Sequence, residues 1–154
     1  MRISATTSAL VSLAICGCAT MPASDLPPDA LTVAGLTVGT SEASVLAVVD
    51  GPVRRPVLSE ADAAYDSRLE WADGNAYLND GRLEFFQTTR HGHCTGLGLC
   101  IGDSEASAAS RIGCAAPFDP QELVYACFDT ASGCSVEAVI QDKVVSALRL
   151  ECLP

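Results

Sequence analysis

The feature that most limits how this chain can fold is that it echoes itself. Leu36-Thr37-Val38-Gly39-Thr40-Ser41-Glu42-Ala43-Ser44 lines up with Leu99-Cys100-Ile101-Gly102-Asp103-Ser104-Glu105-Ala106-Ser107, 63 residues later. Ala76-Tyr77-Leu78-Asn79-Asp80-Gly81 is echoed by Ala138-Val139-Ile140-Gln141-Asp142-Lys143, 62 residues later. Ser-Glu-Ala-Ser could recur by chance in an Ala- and Ser-rich chain, but a second echo in the same order argues for duplication. The 154 residues suit one domain of ordinary size, so the duplication divides a domain rather than doubling it.

Each half has the same plan. In residues 32–90, Thr40 or Ser41 can cap a helix whose apolar positions Val45, Leu46, Val48 and Val49 fall at helical spacing. Asp50-Gly51-Pro52 ends it, because proline cannot continue a helix. Strand-like runs follow at Arg68–Ala72, Asn75–Leu78 and Arg82–Thr88. Asp73-Gly74 and Asn79-Asp80-Gly81 separate them and read as turns that use a positive φ. In residues 91–154, Asp103 or Ser104 caps a short helix to Ile112 that Gly113 closes. Strands are then predicted at Leu123–Asp129, Ser135–Gln141 and Val144–Cys152. The fold class is α+β: two tandem helix-plus-antiparallel-meander units forming one sheet with the helices on one face. A helix this short is stable only when its apolar side is buried on that sheet.

The N-terminus reads as an address. Met1-Arg2, an apolar run from Ile3 to Ile15 and the small residues after it describe a secretory signal peptide over residues 1–17. Ile15-Cys16-Gly17-Cys18 resembles a bacterial lipobox; Cys18 fits as the lipidated residue because Gly17 before it is small, whereas Ile15 before Cys16 is bulky. Ala19, with no Asp after the cysteine, resembles lipoproteins sent to the outer membrane, there to face the periplasm. Lipid chains on Cys18 would supply the only membrane affinity. Residues 18–31, with Pro22, Pro27 and Pro28, read as an extended tether. A formal charge of −10 excludes a nucleic-acid partner and an anionic lipid surface, both of which need a basic footprint.

A helix opened by Gly39-Thr40-Ser41-Glu42-Ala43-Ser44-Val45, stopped by Gly and Pro and followed by three strands, resembles the SmpA/OmlA (BamE) outer-membrane lipoprotein domain. Thr40 stands where that pattern usually has methionine. The tandem arrangement over about residues 34–152 is similar in layout to the β-lactamase inhibitory proteins, whose two units form one concave sheet. The resemblance implies a non-enzymatic envelope protein that binds another protein, as a scaffold or as an inhibitor. It also implies a helix-to-strand disulfide from Cys114 to Cys127. The 5% aromatic content departs from the dense aromatic row expected of an inhibitor's concave face.

Apart from Cys16 and Cys18, the cysteines are Cys94, Cys100, Cys114, Cys127, Cys134 and Cys152. Six allow fifteen pairings. Cys134 and Cys152 sit at the outer ends of the last predicted hairpin and can face each other, which leaves Cys94 with Cys100 once Cys114 takes Cys127. The rival set joins Cys127 to Cys134 and Cys114 to Cys152. An alternative function, a metal- or small-molecule-binding envelope module, rests on Arg90-His91-Gly92-His93-Cys94. His-x-His puts both rings on one side of an extended strand, although no second ligand cluster closes the sphere. The bland counterpart is an exposed linker. Neither a nucleophile elbow, a phosphate loop nor a calcium loop occurs, so no enzyme activity, metal or cofactor is expected.

Simple alternation along Arg82–Phe86 points Leu83 and Phe85 one way and Arg82, Glu84 and Phe86 the other. With Leu83, Phe85, Leu78 and Trp71 under the helix, Tyr77, Phe86 and Arg82 become the expected protein-binding residues on the open face, for an envelope protein of unknown identity. The alternative is that the aromatics are half-buried against the other unit or a loop.

Overall fold

The computed structural model of the chain describes Pro27 and residues 29–112 and 123–152. The signal-peptide, lipidation and most tether assignments, together with Gly113 and Cys114, therefore lie outside the described residues. Within them the protein is α+β. Helix α1 (Glu42–Val48) precedes strands β1 (Ser67–Trp71), β2 (Gly74–Asn79) and β3 (Arg82–Thr88). Helix α2 (Glu105–Arg111) precedes β4 (Leu123–Asp129), β5 (Cys134–Gln141) and β6 (Val144–Cys152). The strands form one antiparallel sheet in the order β1-β2-β3-β6-β5-β4, with β3 and β6 meeting at its centre.

Local chemistry explains the elements. Ser41 and Ser104 are the helix N-caps: their hydroxyls accept from the amides of Ser44 and Ser107 at 3.4 and 3.2 Å. Both hairpins turn through residues at positive φ, Asp80 and Gly81 in one, Asp142 and Lys143 in the other. Asp and Gly enter that region readily; Lys143 does so at a cost. Gly74 is needed for a different reason from the one its sequence suggests. Its φ is not positive; a Cβ there would come within 2.1 Å of the Gln87 carbonyl oxygen.

The helices are stitched to the sheet by a hydrogen-bond set that recurs at the spacing of the sequence echo. Gly39 N–H donates to the Leu83 carbonyl (2.7 Å) and Gly102 N–H to that of Val145 (2.9 Å). Leu83 and Val145 donate back to Thr40 and Asp103, each at 2.8 Å. Glu42 and Glu105 donate to Gly81 and Lys143. Each central strand also carries a bulge: Glu84 is skipped between the pairs Tyr77–Phe85 and Leu78–Leu83, and Ser146 between Val139–Ala147 and Ile140–Val145.

α1 lies against β3 and α2 against β6. Val45, Ala108 and Ile112 join one buried cluster with the inward residues of all six strands, among them Leu69, Leu78, Phe86, Val136 and Leu148. Both helices thus cover the same side of the sheet. Among the described residues no helix is long and apolar enough to cross a membrane.

The packed chain starts slightly earlier than Thr32, the expected start of the folded part. Ala30 is fully buried and its N–H donates to the Pro27 carbonyl at 2.9 Å. The segment that follows is held by residues 94–96: Ala34 N–H donates to Cys94 and Gly96 N–H to Thr32. The stretch from Cys94 to Cys100 is accordingly a packed, disulfide-closed loop with Leu99 at its base.

Among the described residues two disulfides form, Cys94–Cys100 and Cys134–Cys152, and the second excludes the rival pairing through Cys134 and Cys152. Cys134 lies directly opposite Cys152 in the β5–β6 register, as expected from the hairpin ends. Cys127 differs from expectation: it is a free thiol, buried in the main core cluster, and burial pushes its pKa up. Its expected partner Cys114 is outside the described residues.

Candidate protein-binding face

The strand register builds the open face row by row. One row crosses all six strands as Arg68, Tyr77, Phe85, Glu151, Ser135 and Phe128. The next is Glu70, Asn75, Gln87, Arg149, Glu137 and Ala126. The first row is aromatic at its β2–β3 end and the second is polar almost throughout. Beyond them Val124, Val139 and Ala147 make a second, smaller buried cluster on this side of β4, β5 and β6.

Three rings group at the first end of the face. Tyr65 lies 4.7 Å from Tyr77 between ring centroids, and Tyr77 meets Phe85 edge-on at 5.6 Å. The Arg68 guanidinium stands over the Tyr77 ring at 5.2 Å, paired with Glu70 at 2.6 Å and near Asp62 at 3.9 Å. Tyr65 is brought there by the short 3-10 turn Glu60–Asp62, which a reciprocal Ser59–Asp62 capping box closes. Hydrogen bonds from Ser59, then from the Tyr77 hydroxyl, hold the Asp62 carboxyl below its ordinary pKa. Burial, then Asp62, push the Tyr77 phenol up.

Tyr77 stands where expected, but Phe86 does not. The bulge at Glu84 shifts the alternation by one residue, so Phe86 turns inward at 0% exposure and stacks on Trp71 at 5.7 Å. Phe85, expected under the helix, takes the open-face position beside Tyr77. Arg82 is exposed, yet its guanidinium donates to the Gly39 carbonyl at 3.2 Å; the arginine on the aromatic group is Arg68. Tyr65 was invisible to periodicity because it lies outside any strand. The Ser59-x-x-Asp62 box was the available signal for an ordered turn near it.

The histidines sit elsewhere, beside an open cleft of about 610 Å³ lined by Asp50, Arg90, His91 and His93 among others. His91 and Gly92 form a turn, with Gly92 at φ 89°, so the two rings do not share one side of a strand. His93 Nδ1 is 2.9 Å from the Thr88 hydroxyl, and Arg90 is paired with Asp50. Burial, then Arg90, lower the His93 pKa and favour its neutral form. Cys94 is engaged with Cys100. Among the described residues, no group of three or more His, Cys, Asp or Glu is placed to hold a metal.

No protein-family model matches the chain, and neither a curated protein nor a solved structure matches it.

Proposed function

We propose that the chain is a non-enzymatic outer-membrane lipoprotein, anchored through Cys18 and facing the periplasm, whose folded domain binds another envelope protein through the open face of its sheet. The observation that carries the binding reading is the Tyr65–Tyr77–Phe85 group with Arg68 on the side of the sheet that neither helix covers. Aromatic and arginine side chains in this arrangement are the usual anchors of a protein interface. The domain is read as two related units of the SmpA/OmlA type, residues 32–90 and 91–154. The helix-to-sheet hydrogen bonds and bulges that recur 62–63 residues apart support that duplication. A scaffold and an inhibitor would use this face alike, and the identity of the captured protein separates them.

The test is capture from envelope extracts. Wild-type chain should enrich one protein reproducibly, and Tyr77→Ala with Phe85→Ala should lose most of it while the fold persists; equal capture by this variant sinks the assignment of the face. For the anchor, Cys18→Ser should move the chain from the membrane fraction to the soluble one. Unchanged fractionation would remove the lipid from the account.

A further inference from the structure

Charge is unevenly used around the three rings. On this part of the face Arg68 is occupied by Glu70 and Asp62. Glu84, displaced by the bulge, and Glu151, opposite Phe85, make no ion pair among the described residues. Both act on the same place: after burial, the largest influences raising the Tyr65 phenol pKa are Glu151, Glu84 and Asp62 in that order. Three partly exposed rings therefore share this end of the face with Glu151, in register with Phe85, and with Glu84 beside it, two carboxylates without an ion pair among the described residues, in a chain of formal charge −10.

We propose that this end of the open face seats a lysine- or arginine-bearing loop of the partner protein, its cation between Glu84 and Glu151 and its stem on Tyr65 and Phe85. The inference deepens the protein-binding reading and rests on it. A cation gains from the negative faces of the rings and from the two carboxylates together, while its methylenes cover the aromatic carbon. An acidic loop would meet the same carboxylates as repulsion, so the site also discriminates. A bare metal ion fits less well, since among the described residues no third His, Cys, Asp or Glu ligand stands with the pair.

The test uses the purified, isotope-labelled full chain titrated with an oligolysine peptide at low salt, with oligoglutamate as the control. Oligolysine should shift the amide signals of Tyr65, Tyr77 and Phe85, and oligoglutamate should not. Glu84→Gln with Glu151→Gln should weaken oligolysine about fivefold or more, as expected for two charge pairs on a partly exposed face. Asp73→Asn with Asp142→Asn removes the same charge from two turns and should change affinity by less than about twofold, as screened distant charges do. Equal weakening by both variants, shifts scattered over the surface, or no shift would each overturn the cation seat. Capture of an envelope protein that depends on Tyr77 and Phe85 but not on Glu84 and Glu151 would overturn it while leaving the binding face intact. Failure of capture with a positive oligolysine result would instead remove the protein partner.

Discussion

Phe86→Ala is expected to destabilise the domain by about 3–5 kcal/mol, the cost of emptying a buried phenylalanine site. Phe85→Ala, one residue away, should cost only about 1 kcal/mol, chiefly its edge contact with Tyr77. The contrast follows from the bulge at Glu84. Phe86 is fully buried against Trp71, whereas Phe85 is half-buried on the open face. Trp71 is the chain's one tryptophan, so its fluorescence during denaturant unfolding reports directly on the Phe86 site. Comparable losses for the two variants, or a larger loss for Phe85→Ala, would mean that β3 runs without the bulge and that its faces are exchanged.

The second large effect belongs to the bridge that closes the last hairpin. Cys134 and Cys152 are 18 residues apart in sequence. A loop of that length corresponds to about 3 kcal/mol of stabilisation through the unfolded state. Cys134→Ser with Cys152→Ser should therefore lower the denaturation midpoint clearly. Cys94→Ser with Cys100→Ser, closing a separation of 6, should cost nearer to about 2 kcal/mol on the same reasoning. The first pair matters more for a second reason: it joins β5 to β6, the strand that carries the sheet across to β3. A midpoint unchanged by the first variant would show that the hairpin ends are held without the bridge.

Much of the architecture was legible because it depends on local chemistry. Ser41 and Ser104 cap where a hydroxyl precedes an apolar-periodic run, and Asp80-Gly81 and Asp142-Lys143 turn where the strand patterns break. The predicted Arg82–Thr88, Leu123–Asp129 and Val144–Cys152 match β3, β4 and β6 residue for residue. What local chemistry cannot supply is the phase of a strand after an inserted residue. Alternation is correct at Leu83 and wrong at Phe85 and Phe86, because nothing in Leu83-Glu84-Phe85 announces that Glu84 is skipped. β6 is limited differently: Val144–Leu150 is so apolar that a two-residue period does not assign the faces of the second unit. Asp73-Gly74 marks a turn correctly for the wrong reason, since Gly74 is required by the nearness of Gln87 rather than by its own φ. The candidate site shares these limits. Tyr77 was found from a strand pattern, whereas Phe85, Arg68 and Tyr65 needed the register, the ion pairs and the loop.

The central claim is that the open face of the sheet, and not the helix face, meets a protein partner. It is tested most directly by placing a photo-crosslinking residue at Phe85 and, in a separate chain, at the exposed Ala109 on α2. After irradiation of intact cells, the account predicts one discrete protein adduct from position 85 and none from position 109. An adduct from position 109 alone, or no adduct from position 85 in a chain that remains folded, would contradict it.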